Sequence, residues 1–136
     1  MVKTHAFRLH RGDDLRRSLE SYVRERHIRA AVVLSAVGCV SRAVLRDASG
    51  VTVRTLEEHL EIVSLMGTLS EERVHLHISL SREDLSTVGG HLKEGCIVNT
   101  TAEVVLLELP GTAFGAAYDP GTGYDELVIS HWEEPK

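Results

Sequence analysis

At 136 residues the chain is long enough to bury one hydrophobic core and too short for two, so a single domain over 1–136 is expected. Hydrophobic residues at 43% and charged residues at 26% exclude a disordered or fibrous polymer, and the formal net charge of -5 argues against a broad basic surface for nucleic acid. No apolar run is long enough to span a bilayer and no signal-peptide core follows Met1, so the expectation is a cytoplasmic protein that does not engage a membrane.

Lys3 to His10 alternates loosely and predicts a first strand, and Gly12-Asp13-Asp14 supplies a turn and a helix N-cap. Leu15, Leu19, Tyr22 and Val23 then recur at helical spacing, with Arg16, Arg17, Glu20, Arg24 and Glu25 on the wet face of an amphipathic helix. Arg16, Arg17, Arg24, Arg26 and Arg29 could attract phosphate, but a solvated face neutralised by Glu20 and Glu25 is the simpler reading. The nearly apolar run Ala30 to Val37 predicts a strand central to a sheet and covered on both faces, interrupted at Gly38 and resuming from Val40 to Arg46. Asp47-Ala48-Ser49-Gly50 is a turn, and Val51 to Arg54 a short strand that pairs back as a hairpin.

Leu60 to Leu69 predicts another strand, joined through the short polar link Ser70-Glu71-Glu72-Arg73 to the strand Val74 to Leu80, which favours an antiparallel pair. Alternation along that second strand sends Val74, Leu76, Ile78 and Leu80 toward a core and His75 and His77 together to the other face. His91 follows Gly89-Gly90, a pair able to bend the chain back toward them. His75, His77 and His91 therefore make a candidate metal site, with solvent-facing histidines in a chain of eight as the plain alternative. Ile97 to Leu109 is a long β-rich stretch, Tyr118 to Tyr124 a loop, and Glu126 to His131 a last strand. One early helix and many short-linked strands indicate an α+β domain with a largely antiparallel sheet.

Other signals are weaker. Cys39 and Cys96 form no CxxC pair and read as small buried hydrophobes. Ser35, Ser41 and Ser64 lack a nucleophile-elbow context, and the loops Gly111 to Gly115 and Gly121 to Gly123 lack the lysine and strand-to-helix setting of a phosphate cradle. Asp119 and Asp125 are simplest as turn residues. Six aromatics do not provide a stacking platform for single-stranded nucleic acid. Glu61 and Glu103 are the nearest candidates for a general acid or base and Arg42 for an anion partner, though exposed strand charges are the plainer reading of all three. His59 could join the site, whereas His5, His10, His27 and His131 are expected at the surface.

Glu61 to Leu69, His75 to Leu80, Gly89-Gly90-His91-Leu92 with Gly95, and Thr101 to Val105 together resemble the plant and prokaryote conserved (PPC) domain, also called the domain of unknown function 296. Val37 to Ser41 and the tail from Tyr118-Asp119 to Leu127 extend the resemblance over essentially the whole chain. It implies an α+β fold around an antiparallel sheet and a homotrimer whose sheet edges and apolar faces pack between subunits. It also implies a DNA-binding label, by association with plant relatives that carry a separate AT-hook. Such a hook needs an Arg-Gly-Arg-Pro core, and here Arg11-Gly12 runs into Asp13-Asp14, which phosphate would repel.

The fold is also similar, more distantly, to that of acetolactate decarboxylase, on whose pattern His75, His77 and His91 would be zinc ligands. Imidazole suits Zn²⁺, Ni²⁺ or Fe²⁺, with Zn²⁺ the first choice, and three protein ligands leave an open fourth position. Two functions follow from these likenesses. One is a trimeric binding or regulatory module contacting DNA or a protein. The other is a small metal-dependent enzyme of the lyase or hydrolase class acting on a small anionic substrate.

Overall fold

The computed structural model describes residues 2–133 and Pro135. Its elements are β1 (Lys3–His10), α1 (Leu15–Glu25), β2 (Ala31–Arg46), β3 (Val53–Leu56), β4 (Leu60–Leu69), β5 (Val74–Ser81), β6 (Thr87–Leu92), β7 (Ile97–Glu108), β8 (Thr112–Asp119) and β9 (Tyr124–His131). The fold is α+β, and all strand pairings are antiparallel. No helix among the described residues is long and apolar enough to cross a membrane.

The main sheet runs β1-β7-β2-β4-β5-β6, with β3 paired to β2. β2 reaches both β4 and, at its far end, β6 through Leu45↔Leu92 and Arg46↔His91, so β2, β4, β5 and β6 close into a ring. Period-two alternation fills its interior: Leu60, Ile62, Leu65, Leu76, Ile78, Leu80 and Leu92 are all buried in one core cluster. Leu15, Leu19 and Val23 of α1 join that cluster. Asp14 starts the helix by accepting a hydrogen bond from the Arg17 backbone at 3.0 Å, a cap worth about 1 kcal/mol.

Several expectations change. The interruption at Gly38 is a register shift within one continuous strand, where Gly38 adopts φ 144° and a Cβ would sit 2.1 Å from the Thr101 carbonyl oxygen. β2 is central but not covered on both faces by this chain, because Leu34 and Val37 are exposed. The short hairpin strand lies at Val53–Leu56, two residues later than its composition indicates. Most different is the C-terminal part. The stretch Gly111 to Gly115, read as a glycine-containing loop, lies largely in β8, which pairs with β9 as a separate two-stranded ribbon, while Gly121 to Gly123 does lie in a turn and β9 begins at Tyr124. The Phe114 backbone N–H donates to Arg29, and the buried Ser70 hydroxyl donates to the Phe114 carbonyl at 2.7 Å, which fastens the ribbon to the main body.

The arginines of α1 and of the segment just after it are taken up by the protein's own groups. Arg16 donates to Glu20 and to the carbonyls of Leu92 and Val74. Arg17 meets Glu94, Arg24 meets Glu20, and Arg26 and Arg29 stack on Tyr22 and Trp132. Arg16 is thus a partly buried strut between α1 and the sheet rather than part of the wet face.

Candidate metal centre

The three histidines meet on the outer face of the ring. His77 stands directly opposite His91 in the β5–β6 ladder, and His75 lies two residues back on β5, so strand pleating puts all three side chains on one face. Their ligand atoms lie within 4.8 Å of one another, and the ring centroids are 5.0, 5.2 and 5.6 Å apart. A depression of about 250 Å³ beside them is lined by Met66, Gly67, Thr68, His75 and His77.

The role of Gly89-Gly90 differs from a bend. The turn between β5 and β6 is made by Arg82 to Ser86, where the Arg82 N–H donates to the Ser86 carbonyl and Leu85 adopts φ 71°. The two glycines are extended strand residues that allow close approach. A Cβ on Gly89 would sit 2.4 Å from the Ile78 carbonyl oxygen, and one on Gly90 would sit 2.7 Å from that of Arg46. They let β6 fit between β5 and the end of β2, which sets His91 against His77.

Electrostatics favour the neutral form of His75 and His91. Burial first, then the charge of Arg46 with smaller effects of His75, Arg16 and His77, pushes His91 down to about 4. His75 is also lowered, by burial, then Arg73, His77 and Arg46, against an opposing effect of Glu126. Neutral imidazole is the ligating form, so both shifts favour a metal cation over protons. Among the described residues, the buried Nδ1 of His91 and the buried Nε of Arg46 have no hydrogen-bond partner. Three imidazole donors on adjacent strands, one carrying a buried unpaired nitrogen, fit a divalent transition metal with an open coordination position. The metal would supply a Lewis-acidic centre that keeps its double positive charge, since the donors add none.

The other candidates lie elsewhere. Glu61 pairs with Ser81, four residues or about 13 Å along β5 from His77. Glu103 pairs with Val37 and Arg8, and Arg42 meets Glu57 at 3.6 Å. His59 accepts from the Asn99 side chain at 3.2 Å in a separate cavity of about 330 Å³, lined also by Cys39 and Glu61. Cys39 is half-buried and donates to the Asn99 carbonyl, while Cys96 is buried as a small hydrophobe. His10, His27 and His131 are exposed, but His5 is half-buried between Tyr22 and Glu108, bonding each at 3.0 Å. The charged groups that do surround the triad are Arg46, opposite His91 in the ladder, Arg73, whose Nη2 donates to His75 Nδ1 at 3.3 Å, Arg16 of α1 on the His91 side, and Glu126 on β9. Sequence spacing gives no hint of Arg46 or Glu126, because the β2–β6 pairing brings the first to the site and the placement of the β8–β9 ribbon brings the second.

The family profile described as the Plants and Prokaryotes Conserved (PCC) domain matches residues 1–110. Over 128 residues the chain is 44% identical to the bifunctional protein GlmU of a Synechococcus species, covering 94% of this chain and 20% of that protein. It therefore spans about a fifth of the length of the curated relatives it matches. A hypothetical protein from Salmonella cholerae-suis has a similar structure, with TM-score 0.93 and 34% identity over 96% of this chain and 95% of that one. A metal-containing protein from Archaeoglobus fulgidus has TM-score 0.79 and 34% identity over 93% of each chain.

Proposed function

The chain belongs to the Plants and Prokaryotes Conserved domain family, and from this we propose that residues 1–136 form one homotrimeric binding or regulatory domain with a Zn²⁺ site at His75, His77 and His91. The observation that carries the metal reading is the convergence of three imidazoles within 4.8 Å, with the Nδ1 of His91 buried and unpartnered among the described residues. The metal-containing relative from Archaeoglobus fulgidus supports it. Assembly draws support from exposed apolar side chains on the same outer face: Leu34 and Val37 on β2, Val63 and Met66 on β4. A protein partner fits the surface better than DNA. The net charge is -5, and the arginines of α1 and of the segment just after it already have acidic, carbonyl or aromatic partners. A cytoplasmic location fits two unpaired thiols, Cys39 and Cys96.

Elemental analysis of the purified protein beside a His75→Ala/His77→Ala variant tests the site. Close to one metal per wild-type chain and almost none in the variant is expected. Equal and negligible metal in both would sink the assignment.

A second reading, a small metal-dependent enzyme for an anionic substrate, is favoured by one observation. Arg46 and Arg73 flank the triad, and neither enters an ion pair among the described residues.

A further inference from the structure

Arginine is an obligate donor, so its 3.3 Å hydrogen bond from Arg73 Nη2 makes His75 Nδ1 an acceptor. That arrangement is incompatible with a neutral, metal-bound imidazole, whichever ring nitrogen ligates. If Nδ1 binds the metal, its lone pair is no longer available to Arg73. If Nε2 binds the metal, the ring proton must sit on Nδ1, and two donors would face each other. Metal binding at His75 therefore releases the Arg73 guanidinium at the edge of the site.

Arg46 is the second guanidinium. It is the direct ladder partner of His91 and so projects from the same face, and its Nε is buried without an acceptor among the described residues. Two arginines and a divalent metal held by uncharged ligands make a strongly positive cluster of groups. The carboxylate that His75 senses is Glu126, and its effect is the smallest of those acting on that ring. A buried guanidinium nitrogen and a freed guanidinium both require oxygen acceptors, which an oxyanion on the open coordination position provides.

We propose that the site binds a small oxyanion, carboxylate or phosphate in type, jointly on the metal and on the guanidiniums of Arg46 and Arg73. This inference rests on the metal assignment above. The bound oxyanion places one oxygen on the metal's open position and accepts hydrogen bonds from Arg46 Nε and from Arg73.

The test uses the whole chain loaded with Co²⁺, whose visible spectrum reports a change of ligand, titrated with acetate and separately with methylphosphonate. A saturable spectral change is expected with at least one of them, the better binder naming the oxyanion class. Arg46→Met and Arg73→Met should each weaken that binding tenfold or more while taking up Co²⁺ with wild-type stoichiometry. In Zn²⁺-loaded wild-type protein, the Arg46 Nε–Hε resonance should shift on addition of the same anion, a readout that needs no variant to fold. Failure of the wild type to bind Co²⁺ or Zn²⁺ removes the metal assignment and this inference with it. Metal uptake with no anion response, anion binding equal in wild type and variants, or an unmoved Arg46 resonance overturns the oxyanion site alone.

Discussion

His91 is held neutral by its surroundings, and that has a consequence for stability. The unfolded chain protonates the imidazole near its ordinary value of 6.5, whereas the native protein resists protonation until about pH 4. Between those values the unfolded state binds more protons, so stability rises with pH and is lost as pH falls through the window. In chelator-treated protein, thermal melts from pH 7 to pH 4 should therefore show a falling melting temperature. His91→Gln should flatten that slope, and an unchanged slope would contradict the assigned burial. The residue scale is also where sequence was most and least informative. Alternation along Val74 to Leu80 was enough to put His75 and His77 on one face, because that inference needs only the pleat. Arg46 could not be found this way, since it meets His91 across a ladder between strands far apart in the chain.

Among the elements, β6 needs its two glycines for interstrand fit rather than for chain reversal. Gly89-Gly90 suggests a bend, but the pair serves close packing against Ile78 and Arg46, while the turn Arg82 to Ser86, with Leu85 at φ 71°, reverses the chain. Gly90→Ala should cost about 1–3 kcal/mol of unfolding free energy, read from denaturant melts, because a Cβ 2.7 Å from the Arg46 carbonyl must push β6 off β2. The same variant should lose metal affinity, since His91 moves with the strand. A cost below a few tenths would show that the contact is easily relaxed. β8 was missed because Gly115, Ala116 and Ala117 give its sequence little hydrophobic alternation, and the glycines around it resemble loop punctuation. Pairing with β9 and anchorage through Ser70 hold it extended, neither of which is a local property. β4 and β5 were legible because their alternation is strong and their connection short, so the register Met66↔His77 follows from little more than the turn.

At the scale of the molecule, the exposed apolar side chains lie beside the candidate site rather than away from it. Met66 is 61% exposed and stands directly opposite His77, and Leu34, Val37 and Val63 continue the apolar face across β4 and β2. Subunits packed on this face would border each metal centre. Light scattering should give three times the 15.0 kDa chain mass for the wild type, and Leu34→Glu/Val63→Glu should shift it toward a single chain. A wild type of one chain mass would remove the trimer from the proposal. Long apolar strands made some association legible in the sequence, but the face it uses depends on which residues the core leaves uncovered.

The ring itself has one short seam, where Leu45↔Leu92 and Arg46↔His91 are the pairs that join β2 to β6 among the described residues. A metal gripped by β5 and β6, carrying an anion gripped by β2, would lie across that seam as a clasp. Opening the seam would then require letting go of the ligand, so occupancy and closure become a single equilibrium that ligand concentration can tighten.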